Sequence, residues 1–384
     1  MRSSSHPRRH MLAPLCGPLL ALLALLGPAQ ALAAVDLLAL PAILSANADK
    51  RMLLNLAWAG KRLLAVGERG TIVYSDNSGK DWTQAEVPAS VTLTAVHFPS
   101  PLSGWAVGHD GLILTSQNGG KTWTRQFDGN QANALMLEAA QGHLRRAQAA
   151  RQDPASLQRL KDALEDAMAG AKFGPSRPLF DVWFASATVG YAVGSFGQVF
   201  RTGDAGAHWA LAGIEAGNPD GLHINAVSGQ ADGAVLLAAE AGKLFRLGAG
   251  ATAWQRLDTG YAGQLFGARE FQEGGGASVI LAYGFGGTVF RSSDQGRHWR
   301  AIPTGTKKSL TASVMLDDGT LYLSAADGRL LKSSDGGRSF VAGPATSSPV
   351  SAMTWAESQH TLILAGAAGA VRFPLHTAEQ PRSP

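Results

Sequence analysis

The chain is almost without sulfur chemistry and is short of charge. One cysteine occurs in 384 residues, and Asp, Glu, Lys and Arg together make up only 16%. That cysteine, Cys16, lies inside an N-terminal apolar run, behind an Ala13-Pro14-Leu15 stretch that makes a poor lipoprotein cleavage box. The rest of the chain therefore has neither a disulfide nor a thiol nucleophile open to it. Paired-cysteine spacings are missing, the single His-x-x-x-His spacing (His6 and His10) falls ahead of the N-terminal apolar run, and there is no phosphate-binding glycine loop ahead of a helix. The sequence thus predicts no metal and no small-molecule cofactor. The apolar run at 11–26 is too short, and too broken by Pro14, Gly17 and Pro18, to be a stable membrane span.

What that run does resemble is an export signal. Arg2, Arg8 and Arg9 precede it, and small residues at 29–34 follow. We expect a signal peptide over 1–33, cut after Ala33 with Ala31 as the alternative; Arg8-Arg9 also loosely fits a twin-arginine signal. The destination would be the periplasm, or the thylakoid lumen in a photosynthetic host. The segment carries three arginines and no acid, so its removal lowers the formal net charge from +4 to +1. A near-neutral mature chain predicts no nucleic-acid partner. Roughly 350 residues remain, ample for a large core.

Glycine is plentiful, and its placement is periodic. Gly70, Gly111, Gly197, Gly242, Gly287, Gly328 and Gly369 are separated by 41, 86, 45, 45, 41 and 41 residues. Six of them are followed twelve residues later by Trp82, Trp123, Trp209, Trp254, Trp299 and Phe340. A fixed period of this length marks one small β unit copied many times. Seven repeats begin near residues 53, 92, 179, 222, 265, 310 and 349. Each reads as an apolar strand, a second strand of small and β-branched residues, a two-residue turn, a third strand, a polar turn and a fourth strand, except that the last runs into a polar tail and lacks a clear fourth strand. Glycines on both sides of the short turn (Gly67 and Gly70, Gly108 and Gly111) are expected to supply positive φ. Adjacent apolar residues in the third strand predict burial on both faces, as between stacked blades.

These observations predict an all-β fold, a seven-bladed β-propeller spanning 34–375, with a disordered tail at 376–384. The apolar segment 37–44 is expected to complete the last blade and close the ring. Residues 130–172 break the pattern. Leu137, Ala140, Leu144 and Ala147 recur at helical spacing, as do Leu157, Leu160, Leu164 and Met168, and Asp153-Pro154 makes a helix start. We read an αα-hairpin inserted between blades two and three.

The polar turn follows Ser/Thr-x-Asp/Asn-x-Gly-x-x-Trp. Its copies are Ser75, Asn77, Gly79 and Trp82; Ser116, Asn118, Gly120 and Trp123; and Thr202, Asp204, Gly206 and Trp209. Two more are Ser292, Asp294, Gly296 and Trp299, and Ser333, Asp335, Gly337 and Phe340. The hydroxyl and the carboxylate or amide can bond nearby backbone N–H groups while the aromatic packs on the blade, so these residues read as structural.

The turns resemble the Asp-box of bacterial neuraminidases. The fuller run Gly-Trp-Ala-Val-Gly-His-Asp-Gly-Leu-Ile-Leu at 104–114, followed directly by such a turn, resembles the photosystem II stability and assembly factor family of lumenal seven-bladed propellers and its relatives in non-photosynthetic bacteria. The resemblance covers about residues 53–375 apart from the helical insertion. It implies a non-catalytic, monomeric scaffold that binds a membrane or envelope protein and assists its assembly or stability. The hairpin and the fourth repeat, which keeps Trp254 but loses the polar turn residues, depart from the pattern.

Propeller topology puts the turn between strands two and three on the face that carries the inter-blade connections, hence the hairpin. That mouth would be lined by Glu68, Arg69, His109, Asp110, Ser195, Phe196, Glu240, Phe285 and Asp327, a mixed surface suited to a protein or peptide. A basic column, Arg201, Arg246, Arg291 and Lys332, stands four residues after successive repeat glycines, toward the opposite face. It could meet a partner's carboxylates or lay its stems over apolar strand surface. A sialidase-like glycoside hydrolase is the catalytic alternative, needing arginines, an acid and a tyrosine nucleophile at the mouth. The chain has five tyrosines, and its phased arginines are predicted to lie at the wrong end. A carbohydrate-binding propeller is a third reading, with Phe196 and Phe285 as candidate stacking rings.

Overall fold

A computed structural model describes residues 36–375 except 214–216, 231, 275 and 277. The expected signal peptide and the tail at 376–384 lie outside the described residues. The compact unit that begins at Leu37 is an array of seven antiparallel sheets. Six have four strands in sequence order, at 53–84, 93–127, 179–211, 224–258, 265–301 and 310–345. The seventh has three: Val350–Ala356, Thr361–Gly366 and Gly369–Pro374. Each first strand packs against the first strand of the next blade, and that of blade seven packs against Leu53–Ala59 of blade one, so the ring is closed.

The start of every blade is bulged. In blade one Leu53 faces Gly67, yet Asn55 already faces Val66, so Leu54 has no partner; the same slip recurs in all seven blades. This corrects the expected role of the first turn glycine. Gly67 and Gly108 are extended, with φ of −170° and −173°. What requires glycine there is the bulge itself, because a Cβ would run into the carbonyl oxygen of Met52 or Thr92. The left-handed conformation falls on the residue before the repeat glycine and on the repeat glycine: Arg69 at +53° and Gly70 at +70°, Asp110 at +58° and Gly111 at +65°.

The repeated aromatics hold the blades to one another. Trp123 of blade two is buried with Leu64 of blade one, and Trp209 of blade three with Trp105 and Phe127 of blade two. Trp254 meets Tyr191 edge-on at 6.0 Å, and Phe340 packs with Leu281 and Ile302 of blade five. Each ring thus covers the blade before its own. Trp82 of blade one reaches Ile363 of blade seven, which seals the circle.

The segment 37–44 does not complete blade seven. It runs beside the link between blades one and two, where Ala42 N donates to Val87 O and Ser90 N to Leu37 O (3.0 and 2.8 Å). Leu38 is buried among residues of those two blades. Blade seven keeps three strands, and the 3-10 turn Ala48–Lys50 lies against its last strand instead. Val371 of that strand is 38% exposed, unlike its equivalents in other blades, since no fourth strand flanks it.

Between blades two and three run α1 (Gly129–Ala149) and α2 (Pro154–Phe173), packed against each other. Asp128 caps α1 through Asn130 N, and Gln131 returns the bond to Asp128 N, a capping box; Asp153 caps α2 through Ser156 N. The face buried on α2 carries Ala167 and Gly170, whereas Met168 is 56% exposed. Small residues win because Asn133 of α1 must reach the carbonyls of Gly170 and Gly174 (3.0 and 2.9 Å). No helix among the described residues is long and apolar enough to cross a membrane.

Candidate functional site

The five polar turns spend their polar atoms on themselves. In each, the Ser or Thr hydroxyl accepts from the turn glycine's N–H at 2.8–2.9 Å and donates to the Asn or Asp two residues on. That Asn or Asp accepts from the N–H four residues later, as Asp204 does from His208 and Asp294 from His298 (both 2.9 Å). The second carboxylate oxygen of Asp294 meets His298 Nδ1 at 2.6 Å. Bonds from the His208 N–H and ring hold the Asp204 carboxyl down at about 2. A carboxylate this tightly ionised is no proton donor near neutral pH. Among the described residues, no group of three or more His, Cys, Asp or Glu side chains could hold a metal ion.

The basic column is divided. Arg246 Nε and Nη2 donate to the two oxygens of Glu270 at 3.0 Å, and Arg291 Nη2 donates to Glu273 at 3.0 Å while its Nε binds Gly336 O. Arg338 completes the second cluster on Glu273. Arg201 is exposed and Lys332 half-buried. Two of the four cations are therefore neither stems over apolar strands nor free for a partner's carboxylate. Their acids come from the end of another strand, a pairing that one-dimensional spacing does not reveal.

The mouth side is different. The start of α1 sits directly on the strand two–three turn of blade two: a Cβ on Gly111 would lie 2.7 Å from Gly129 Cα. Ala132, Leu135 and Met136 anchor the helix on the blade two–three core. The two helices and blade three enclose a groove of ≈ 860 Å³. Its lining is apolar in part (Met136, Ala139, Ala140, Leu160, Ala163) and polar or charged elsewhere, with His143, Arg146, Arg159, Arg177, Asp162 and Asp166. The far wall is Phe196 with the turn Asn218-Pro219-Asp220-Gly221. Asn218 shapes that turn, accepting from Leu222 N and donating to its carbonyl.

Phe196 is the centre of this wall. Its φ of +54° is uncommon for a residue with a side chain, and it leaves the ring 50% exposed. Arg177 stacks over one face at 4.6 Å and His223 lies 5.0 Å away. Arg177 also donates to Asp166 O at 2.8 Å, tying ring, blade and α2 together.

Of the nine expected mouth residues, only Phe196 lines the groove. Ser195 is buried, its hydroxyl donating to Pro178 O, and Glu240 binds His223 N and Gln264. Asp327 is paired with Arg329. Glu68, Arg69, His109 and Asp110 occupy the equivalent turns of blades one and two, and Phe285, 58% exposed, that of blade five. Sequence reasoning missed Arg177 and the 218–221 turn. The Asn-Pro-Asp-Gly run was a legible turn signal; nothing in sequence marked Arg177.

Fold and groove together define a class: a closed seven-bladed antiparallel propeller whose repeated polar residues are structural and whose mouth carries a roofed groove. No protein-family model and no curated protein matches the sequence. Two solved structures share the fold at TM-score 0.58. One is YCF48 bound to D1 peptide, at 15% identity over 85% of this chain and 94% of that one. The other is YCF48 from Cyanidioschyzon merolae, at 16% identity over 85% of this chain and 96% of that one.

Proposed function

We propose that the chain is a non-catalytic exported scaffold that binds a segment of a membrane or envelope protein and assists its assembly or stability. The observation that carries this reading is the groove roofed by α1 and α2. It combines an apolar lining with cations, anions and a half-exposed aromatic, a mixture that suits an extended or helical peptide. A propeller of the same fold bound to a D1 peptide supports peptide capture by this architecture. The repeated carboxylates are committed to backbone N–H groups, which supports a role without chemistry.

The insertion can be removed cleanly, because its ends meet: a Cβ on Gly129 would lie 2.7 Å from Pro175 Cα. The test is affinity capture from envelope extract by the full chain and by a chain whose residues 131–171 are replaced by a short linker. We expect a specific membrane protein with the first and its loss with the second. An unchanged set of captured proteins removes the groove from recognition, and hydrolysis of a sialoside reporter by the full chain contradicts the non-catalytic reading.

A further inference from the structure

At the axis of the ring, the free edge of each first strand needs hydrogen-bond partners. Polar side chains from the preceding blade supply them. Asn55 accepts from Val96 N, Thr94 donates to Leu179 O and His97 Nδ1 accepts from Phe184 N. Asp181 accepts from Val227 N, Ser228 donates to Ala268 O and Thr311 to Val350 O. The seam between blades five and six stands apart. Arg269 there occupies the register of His97 and Ser228, each facing the next blade. It makes no hydrogen bond or ion pair among the described residues, and its Nε is buried without a partner. It is the only charged side chain among the described residues with such an atom.

No carboxylate pairs with it among the described residues; Asp181 acts electrostatically on the neighbouring Tyr283 but forms no ion pair with Arg269. The neighbouring Glu270 points to blade four, where Arg246 holds both its oxygens, and Ser278 of its own blade donates to one of them. Hydroxyls lie beside Arg269 instead: Tyr283, on the neighbouring strand of the same blade, is within its electrostatic reach, and Ser313 of blade six approaches the Tyr283 hydroxyl from across the seam. Burial pushes the Arg269 guanidinium down from its ordinary value, though an arginine stays charged. Arg269 is half-buried, with its Nε shut away from water and unpaired. An unpaired buried donor on a cation is costly, and a planar donor fork beside two hydroxyls is suited to an oxyanion or halide.

We propose that the axial edge of the blade five–six seam binds one small monovalent anion, a halide or the carboxylate of a small acid, on the Arg269 guanidinium with Tyr283 and Ser313 beside it. The site is independent of the groove. Crystals of the full chain soaked in bromide should show an anomalous peak in hydrogen-bonding range of Arg269, displaced by acetate if carboxylates share the site. In solution, the Arg269 Nε–H resonance, assigned by its loss in R269K, should shift saturably with bromide. The thermal midpoint of the wild type should rise with bromide and that of R269Q should not. No peak at this position, or a linear unsaturable shift in the wild type, overturns the proposal even if R269Q fails to fold.

Discussion

The two faces of the ring spend their side chains in opposite ways. On the polar-turn face, Ser75, Ser116, Thr202, Ser292 and Ser333 each bond their own turn glycine, and the neighbouring Asn or Asp bonds the N–H four residues on. On the mouth face, Arg146 and the ring of Phe196 border an open groove, and the helical hairpin that forms it is present between one pair of blades only among the described residues. What repeats is architecture, since seven blades need the same joint; what occurs once is free to recognise something. Fold alone could not have made that division.

Several changes sharpen the contrast, from large effect to small. Trp123→Ala should cost about 3–5 kcal/mol in denaturant unfolding, because it empties a buried joint between blades one and two. Ser116→Ala should cost about 1–3 kcal/mol, since the Gly120 N–H is left buried without its acceptor. Neither should alter which protein is captured once the chain is folded. Phe196→Ala should do the reverse, with stability changed by well under about 1 kcal/mol, as for most exposed positions, and partner capture weakened.

The axis offers a pH test of the same scaffold. Burial pushes the Asp181 carboxyl up to about 7, only partly opposed by the N–H groups of Val227 and Val182, and pushes the His97 imidazole down to about 4. Relative to the unfolded chain, native Asp181 binds more protons between about 4 and 7, so its contribution falls as pH rises through that window. Native His97 binds fewer between about 4 and 6.5, so its contribution rises with pH. The two oppose each other. Thermal midpoints of Asp181→Asn should therefore climb more steeply from pH 4 to 6.5 than those of the wild type, and an unchanged slope would count against the burial of Asp181.

Much of this was legible in sequence because it is periodic: the glycine-to-aromatic spacing, the blade starts and the polar turns all recur. The features that were not legible depend on chain segments meeting once. The 37–44 segment reads as an apolar strand, yet its backbone bonds the 87–90 link rather than blade seven. Arg246 and Arg291 look like a free column until Glu270 and Glu273 appear across them. The glycine at 67 was rightly singled out for the wrong reason, since close approach at a bulge and a left-handed turn leave the same letter. Asp128, three residues before Gln131, was a capping signature that reading the helix from its apolar spacing passed over.

Amide hydrogen exchange on the full chain with and without its captured partner asks the central question directly. Slowed exchange confined to α1, α2, the Phe196 turn and residues 218–221 is the predicted footprint. Slowing at the Ser116–Trp123 and Ser292–Trp299 turns, with the helices unaffected, would contradict the division between scaffold and groove.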